Sequence, residues 1–210
     1  MAKVIPAILS SNLQDYQQKI RLVRQLTDRY QLDLVDPEYA DNPTLGLGDI
    51  EPRRDMNCDI HLMSHRPMDY VQAVIVFRPH LAILQYEDAV NIEDALRLLR
   101  EKGISVGIAL NPSTQIEDVA PELIHSVDHV LVMAYPAGFA GQALQPRVLK
   151  KAQQLRELAP KLEIGLDGGV SLETLPKIAK AGFDAVNTNS YLFDCEDVLS
   201  RYSELMEVLG

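Results

Sequence analysis

Cationic side chains are in short supply in this chain, and so are long apolar runs and cysteines. Twenty Lys and Arg stand against thirty Asp and Glu in 210 residues, a formal charge of −10. No segment gathers basic residues into the surface that nucleic acid requires, so nucleic acid is excluded as a partner. The negative field also repels small anions at long range, so a phosphate ester must be held by local donors. No stretch has the length or apolarity of a membrane span, which excludes a membrane partner. Met1-Ala-Lys-Val-Ile-Pro-Ala-Ile-Leu-Ser10 is interrupted by Pro6 and lacks the h-region and cleavage site of a signal peptide; the expectation is a cytoplasmic protein. The two cysteines, Cys58 and Cys195, share no metal-binding spacing and fit a reducing compartment.

With 47% hydrophobic and 24% charged residues, the chain has material for one sizeable core. Residues 1–210 are therefore expected to form one domain. Apolar, β-branched runs predict eight strands: Val4–Leu9, Gln31–Val35, Asp59–Met63, Leu81–Gln85, Ser105–Ala109, His129–Met133, Glu163–Leu166 and Ala185–Thr188. Helical patterns lie between them, at Leu13–Tyr30, Pro67–Phe77, Ile92–Lys102, Ile116–Ser126, Pro146–Leu158 and Leu172–Ala181, with a closing helix near Val198–Leu209. Asn91, Ser113 and Ser171 are candidate helix caps. The Pro- and Gly-bearing stretch Pro37–Arg54 predicts a loop or a helix of a turn or two.

Strands alternating with helices call for a parallel sheet with right-handed crossovers, and eight such units close into a (β/α)8 TIM barrel. An open doubly wound sheet would favour a G-x-G-x-x-G turn after the first strand, which is absent. Glycines instead cluster late, at Gly138, Gly141, Gly168 and Gly169, where such barrels place phosphate.

Asp33, His61 and Asp167 stand at or near the ends of the second, third and seventh predicted strands, the end that faces a barrel's active-site mouth. Strands two and seven put Asp33 and Asp167 on nearly opposite walls, with His61 beside Asp33. A charge among apolar residues is costly unless paired, coordinated or solvated, so the three are expected to converge on one pocket that suits a metal. Two carboxylates flanking a carbonyl-bearing substrate suit removal of an alpha proton from one face and its return to the other, which produces an epimer. The turns after strands six, seven and eight, including Tyr135–Gln142, Asp167–Gly169 and Asn189-Ser190, offer backbone N–H groups to an anion.

Pro6-Ala-Ile-Leu-Ser10, Leu32-Asp-Leu-Val-Asp36, Asp59-Ile-His-Leu-Met63, Ala109-Leu-Asn-Pro112, Val130-Leu-Val-Met133, Pro136-Ala-Gly-Phe-Ala-Gly-Gln142 and Leu166-Asp-Gly-Gly-Val170 run in order along nearly the whole chain. Together they resemble the motif series of the ribulose-phosphate 3-epimerase family. The resemblance implies a phosphate-binding (β/α)8 barrel, an isomerase of carbohydrate metabolism that epimerises a small phosphorylated ketose such as ribulose 5-phosphate at C3, as in the pentose phosphate interconversions. It implies a divalent metal (Zn, Mn, Mg, Co or Fe), an enediolate stabilised by that metal, and a homo-oligomer. Asp33 and Asp167 resemble the paired acid/base residues that also ligate the metal, and His61 a further ligand. Ser10, Met63 and Met133 resemble substrate-contacting residues, and Gly138, Gly141, Gly168, Gly169 and Ser190 fall where the phosphate is held.

Departures from the family pattern define the alternative. The second strand reads Gln31-Leu-Asp33 where the family has His-x-Asp, so one of four ligands is replaced by an amide. An amide oxygen is a poor substitute for imidazole toward zinc, and a three-ligand site should bind more weakly or favour Mn or Mg. Gln85 replaces a histidine of the fourth strand, Val35 a pocket methionine, Pro37 a glycine and Asn189 a phosphate-site glycine. A non-catalytic sugar-phosphate-binding barrel that has lost its metal is the competing reading. Related phosphate-barrel decarboxylases and hexulose-phosphate synthases resemble one another in an Asp-x-Lys-x-x-Asp motif, and Asp33-Leu-Val-Asp36 has no lysine.

Overall fold

In a computed structural model, which describes residues 2–136 and 144–210, eight parallel strands close into a barrel in the sequential order one to eight. The strands are β1 (Lys3–Ile8), β2 (Arg29–Val35), β3 (Asn57–Met63), β4 (Leu81–Gln85), β5 (Ser105–Leu110), β6 (His129–Met133), β7 (Glu163–Asp167) and β8 (Ala185–Thr188). All eight predicted strands form, within two residues at each end. The α-helices are α1 (Leu13–Leu26), α2 (Val71–Phe77), α3 (Ile92–Glu101), α4 (Pro121–Ser126), α5 (Leu149–Leu158), α6 (Leu175–Ala181), α7 (Ser190–Phe193) and α8 (Val198–Leu209). Among the described residues, no helix is long and apolar enough to cross a membrane.

A two-residue alternation organises the packing. Even-numbered strand residues such as Leu32, Leu34, Ile60, Leu62, Val130 and Val132 join the large core shared with the helices. Odd-numbered residues point into the barrel, where Val35, Met63, Leu81, Ile83, Leu131 and Met133 form a second, smaller cluster. Both strand faces are covered, which is why these runs are nearly continuously apolar rather than alternating. Of the polar exceptions on odd positions, Gln31, Asp33, Asp59, His61, Gln85, His129 and Asn187 are buried, and Arg29, Glu163 and Asp167 are half-buried.

Helix boundaries differ from the sequence pattern in a consistent way. Helix α1 stops at Leu26, capped at Asn12 and ended at Thr27, because Arg29 and Tyr30 are already paired into β2. Short 3-10 turns at Pro67–Asp69, Ile116–Asp118 and Pro146–Val148 precede α2, α4 and α5, so continuous apolar periodicity is broken into two pieces. Helix α6 begins at Leu175 rather than Leu172, and Ser171 serves a turn in which its Oγ accepts from the Thr174 N–H. The stretch Pro37–Arg54 is a loop with one 3-10 turn, Leu47–Asp49, as expected. Asn91 precedes α3 in the left-handed region, and its side chain makes no capping bond.

The bottom of the barrel is closed by an ionic cluster. Arg29 donates through Nε to Asp59 at 2.7 Å and through both terminal nitrogens to Glu163 at 2.7 and 2.8 Å. His129 Nδ1 meets Glu163 Oε2 at 2.8 Å. Burial alone would raise Glu163, yet Arg29 and His129 outweigh it and hold this carboxyl far below its usual range. Asp59, more deeply buried, stays raised despite Arg29. Removing the shared cation strands the buried Asp59 carboxylate and leaves the half-buried Glu163 with only His129, a loss of about 3–5 kcal/mol. Arg29→Ala is therefore expected to lower stability by about that amount in urea unfolding; a change under ~1 kcal/mol would show that the cluster does not hold the barrel bottom together.

Candidate functional site

Strand register brings the predicted ligands to one level. Asp33 pairs with His61 across β2 and β3, and Asp167 pairs with Met133 on one side and Asn187 on the other. One ligand atom from each of Asp33, His61 and Asp167 lies within 4.8 Å of the others. His61 is fully buried; the side chains of Asp33 and Asp167 are 10% and 13% exposed, at the open end of the centre. The aspartates come from separate walls, as expected, and their carboxylates converge on the barrel axis.

Gln31, two residues before Asp33 on the same face, sits between them. Its Nε2 donates to Asp33 Oδ1 at 2.7 Å and to Asp167 Oδ2 at 2.6 Å, while its Oε1 accepts from Asn187 Nδ2. Both amide protons thus answer the two negative charges. Burial, then the Asp33 carboxylate, pushes Asp167 up to about 7, with His61 and Gln31 pulling the other way. Burial alone would lower His61, but Asp33 and Asp167 outweigh it and raise the imidazole.

His61 Nδ1 is buried and has no hydrogen-bond partner among the described residues; Asp33 Oδ1 is 3.4 Å away and Asp167 Oδ2 3.8 Å. Two carboxylates and an unpartnered imidazole nitrogen are a donor set that fits a divalent cation. The Gln31 oxygen, in contrast, is turned toward Asn187 and contributes nothing to that set as it stands.

Other predicted residues divide into four groups. Met63, two residues beyond His61 along β3, and Met133, level with Asp167, pack in the inner cluster with Val35 and Leu131. Ser10 is buried at the end of β1, where its hydroxyl donates to the Asn12 carbonyl at 2.8 Å and so shapes the entry into α1. Gly168, Gly169 and Ser190 line a cavity of about 870 Å³ with Asn189 and Lys177. Gly168 and Gly169 have φ of +85° and +65°, and a Cβ on Gly168 would collide with the Tyr135 ring, so both positions require glycine. Gly138 and Gly141 lie outside the described residues.

Sequence reasoning missed Asn187 and Glu87. Each stands on the inward parity of its strand register, Asn187 within β8 and Glu87 two residues beyond Gln85. A polar residue on the odd positions of an otherwise apolar strand was the available signal.

Fold and centre together define the class: a (β/α)8 barrel with a carboxylate and histidine grouping at the C-terminal strand ends. Residues 3–193 match the model of the ribulose-phosphate 3 epimerase family. The cytoplasmic isoform of ribulose-phosphate 3-epimerase from Oryza sativa is 31% identical over 203 residues, covering 91% of this chain and 87% of that protein. The ribulose-phosphate 3-epimerase of Bacillus subtilis is 28% identical over 214 residues, 98% of each chain. Among solved structures, 3-hexulose-6-phosphate synthase from Salmonella typhimurium superposes with a TM-score of 0.71 at 15% identity, over 99% and 98% of the two chains. KGPDC from Streptococcus mutans gives 0.76 at 10% identity, over 100% and 97%; at such identities the likeness is one of fold. The chain belongs to the ribulose-phosphate 3-epimerase family, and with it to the isomerases that act on carbohydrate phosphates.

The centre sets a pH dependence for the metal-free protein. Asp167 is raised, so between 3.8 and about 7 the folded state keeps a proton that the unfolded chain has released, and stability falls as pH rises through that window. His61, raised above 6.5, adds stability below that value and loses it as pH rises, in the same direction. Thermal unfolding of metal-free protein should show a Tm that declines from pH 4.5 to 7.5, and Asp167→Asn should flatten the decline. An unchanged slope in that variant would mean that Asp167 ionises freely.

Proposed function

We propose that the protein is a ketose-phosphate 3-epimerase, acting on ribulose 5-phosphate and xylulose 5-phosphate or a related sugar phosphate. The observation that carries this reading is the convergence of Asp33 and Asp167 on one buried centre, with a raised carboxyl that keeps a proton near neutral pH. One carboxylate takes the proton from C3 and the other delivers a proton to the opposite face of the resulting enediolate. The pair holds the acid and base forms together because two adjacent buried carboxylates do not both ionise readily.

Asp33, His61 and Asp167 would hold the divalent metal, which supplies Lewis acidity toward the substrate's oxygens when bound. Met63 and Met133 line the pocket with apolar surface and exclude water, and Ser10 lies at its rim. In the positive-φ turn at Gly168 and Gly169 the Gly168 N–H is bonded to the Asn187 carbonyl, so the Gly169 N–H is the one offered to the phosphate, helped by Ser190 and by the local charge of Lys177 in the same cavity. Family resemblance supports a cytoplasmic homo-oligomer built on one barrel domain per chain.

Gln31 favours a second reading, a sugar-phosphate-binding barrel without metal or turnover. Its amide answers both carboxylates and so supplies internally part of what a cation would supply. The lysine-dependent chemistry of related barrels finds no lysine between Asp33 and Asp36.

Exchange of the C3 proton with deuterated solvent, on a panel of ketose phosphates with each of Zn, Mn, Mg, Co and Fe, separates the two readings. The epimerase reading expects exchange in the wild type and a loss of about 10² to 10⁴-fold in both Asp33→Asn and Asp167→Asn. Phosphate-ester binding in a calorimeter without exchange under any metal would establish the second reading instead. Gln31→His is expected to tighten metal binding by restoring a fourth ligand, read by metal titration; an unchanged affinity would show that Gln31 does not limit the site.

A further inference from the structure

We propose that Glu87 is a positioning residue: acting through Gln85, it dictates which nitrogen of His61 carries the proton and thereby keeps Nδ1 open as a ligand. The inference rests on reading Asp33, His61 and Asp167 as a cation site. Gln85 closes β4 and is 1% exposed. Its Oε1 meets His61 Nε2 at 3.0 Å, and its Nε2 donates to Glu87 Oε2 and to the Ala109 carbonyl, the latter at 3.3 Å.

The direction of this chain follows from chemistry alone. A carboxylate and a carbonyl only accept hydrogen bonds, so the end of the Gln85 amide that faces them must be its NH2 group. Its oxygen therefore faces His61, and only a protonated Nε2 satisfies it. A neutral imidazole protonated at Nε2 leaves the lone pair on Nδ1, the nitrogen that points at Asp33 and Asp167 and has no partner among the described residues. Metal-binding histidines are held in this manner, with the second ring nitrogen donating outward and fixing the tautomer.

Glu87 is itself anchored. Its Oε1 accepts from the Asn111 N–H at 2.8 Å and from the Thr114 hydroxyl, so the carboxylate cannot turn away from Gln85 without losing both. Lys151, buried nearby and donating to the Asn111 carbonyl at 2.7 Å, contributes positive charge to Glu87. Glu87 touches no reacting atom in this arrangement. Its effect reaches the centre through two hydrogen bonds in series.

One isosteric change reverses the series. In Glu87→Gln the new amide oxygen keeps the Asn111 and Thr114 donors, and its NH2 group turns to Gln85. Gln85 then turns its oxygen to position 87, giving up its longer bond to the Ala109 carbonyl, and its NH2 to His61, so Nε2 becomes an acceptor and the proton moves to Nδ1.

Long-range proton–nitrogen NMR on metal-free protein labelled at histidine, in alkaline buffer where the imidazole is neutral, reads the tautomer directly; His61→Asn assigns the signal. The wild type is expected to carry the proton on Nε2 and Glu87→Gln on Nδ1, with Mn(II) affinity lower by about 10- to 100-fold in the variant. Gln85→Met removes the relay while keeping its volume, and is expected to erase the Nε2 preference with a similar loss of Mn(II) affinity; it decides the matter if Glu87→Gln does not fold. A proton that stays on Nε2 in Glu87→Gln, or Mn(II) affinities within twofold of wild type in the folded variants, would overturn the proposal. If the wild type binds no Mn(II) and the tautomer still inverts, the metal-dependent epimerase reading fails and the relay stands; if it binds Mn(II) and the tautomer does not move, only the relay fails.

Discussion

Two carboxylates, Asp33 and Asp167, face each other inside an apolar barrel, and the arrangement of the mouth follows from how their charge is answered. An unpaired buried carboxylate costs several kcal/mol, so each neighbour in contact is a donor, a cation or a proton. Gln31 gives both amide protons, His61 stands ready with its imidazole, and Asp167 retains a proton to about pH 7. The same electrostatic pressure that makes the centre costly to fold makes it suited to moving a proton. A group that is neither firmly acidic nor firmly ionised near neutral pH serves as donor and acceptor in turn.

The opposite end of the barrel solves the same problem differently. There Arg29 forks onto Glu163 and bonds Asp59, with His129 alongside, and the charges are matched within the protein. At the mouth, Asp33 and Asp167 meet no Lys or Arg side chain in an ion pair among the described residues, only His61. The contrast separates an ionic cluster that stabilises the barrel from one left open to an outside cation and substrate. It agrees with the general division of labour in such barrels between a stabilising bottom face and a reactive top face.

Much of this was legible in the sequence. The eight strands are short β-branched runs with both faces buried, a pattern that amphipathic helices between them make hard to mistake, and Asp33, His61 and Asp167 stood out as ionisable groups near strand ends. Helix starts were less legible, because a 3-10 turn and the α-helix after it share one apolar periodicity and only backbone hydrogen bonding divides them, as at Pro67 and Pro146. Gln31 was recognisable as a missing ligand, yet its bridge between the carboxylates depends on register across the barrel, where partners lie 136 residues apart. Asn187 and Glu87 carried no signal beyond their inward parity, since a lone amide or carboxylate acquires meaning only from the groups that the fold sets beside it.

The central claim is that Asp33, His61 and Asp167 form a cation site whose internal substitute is the Gln31 amide. Anomalous diffraction from crystals grown with Mn(II) tests it most directly. The account predicts a single strong peak within bonding distance of Asp33, His61 Nδ1 and Asp167, with the Gln31 NH2 group withdrawn from between the carboxylates. Crystals with no peak at that position, and with Gln31 still bridging Asp33 and Asp167, would contradict it.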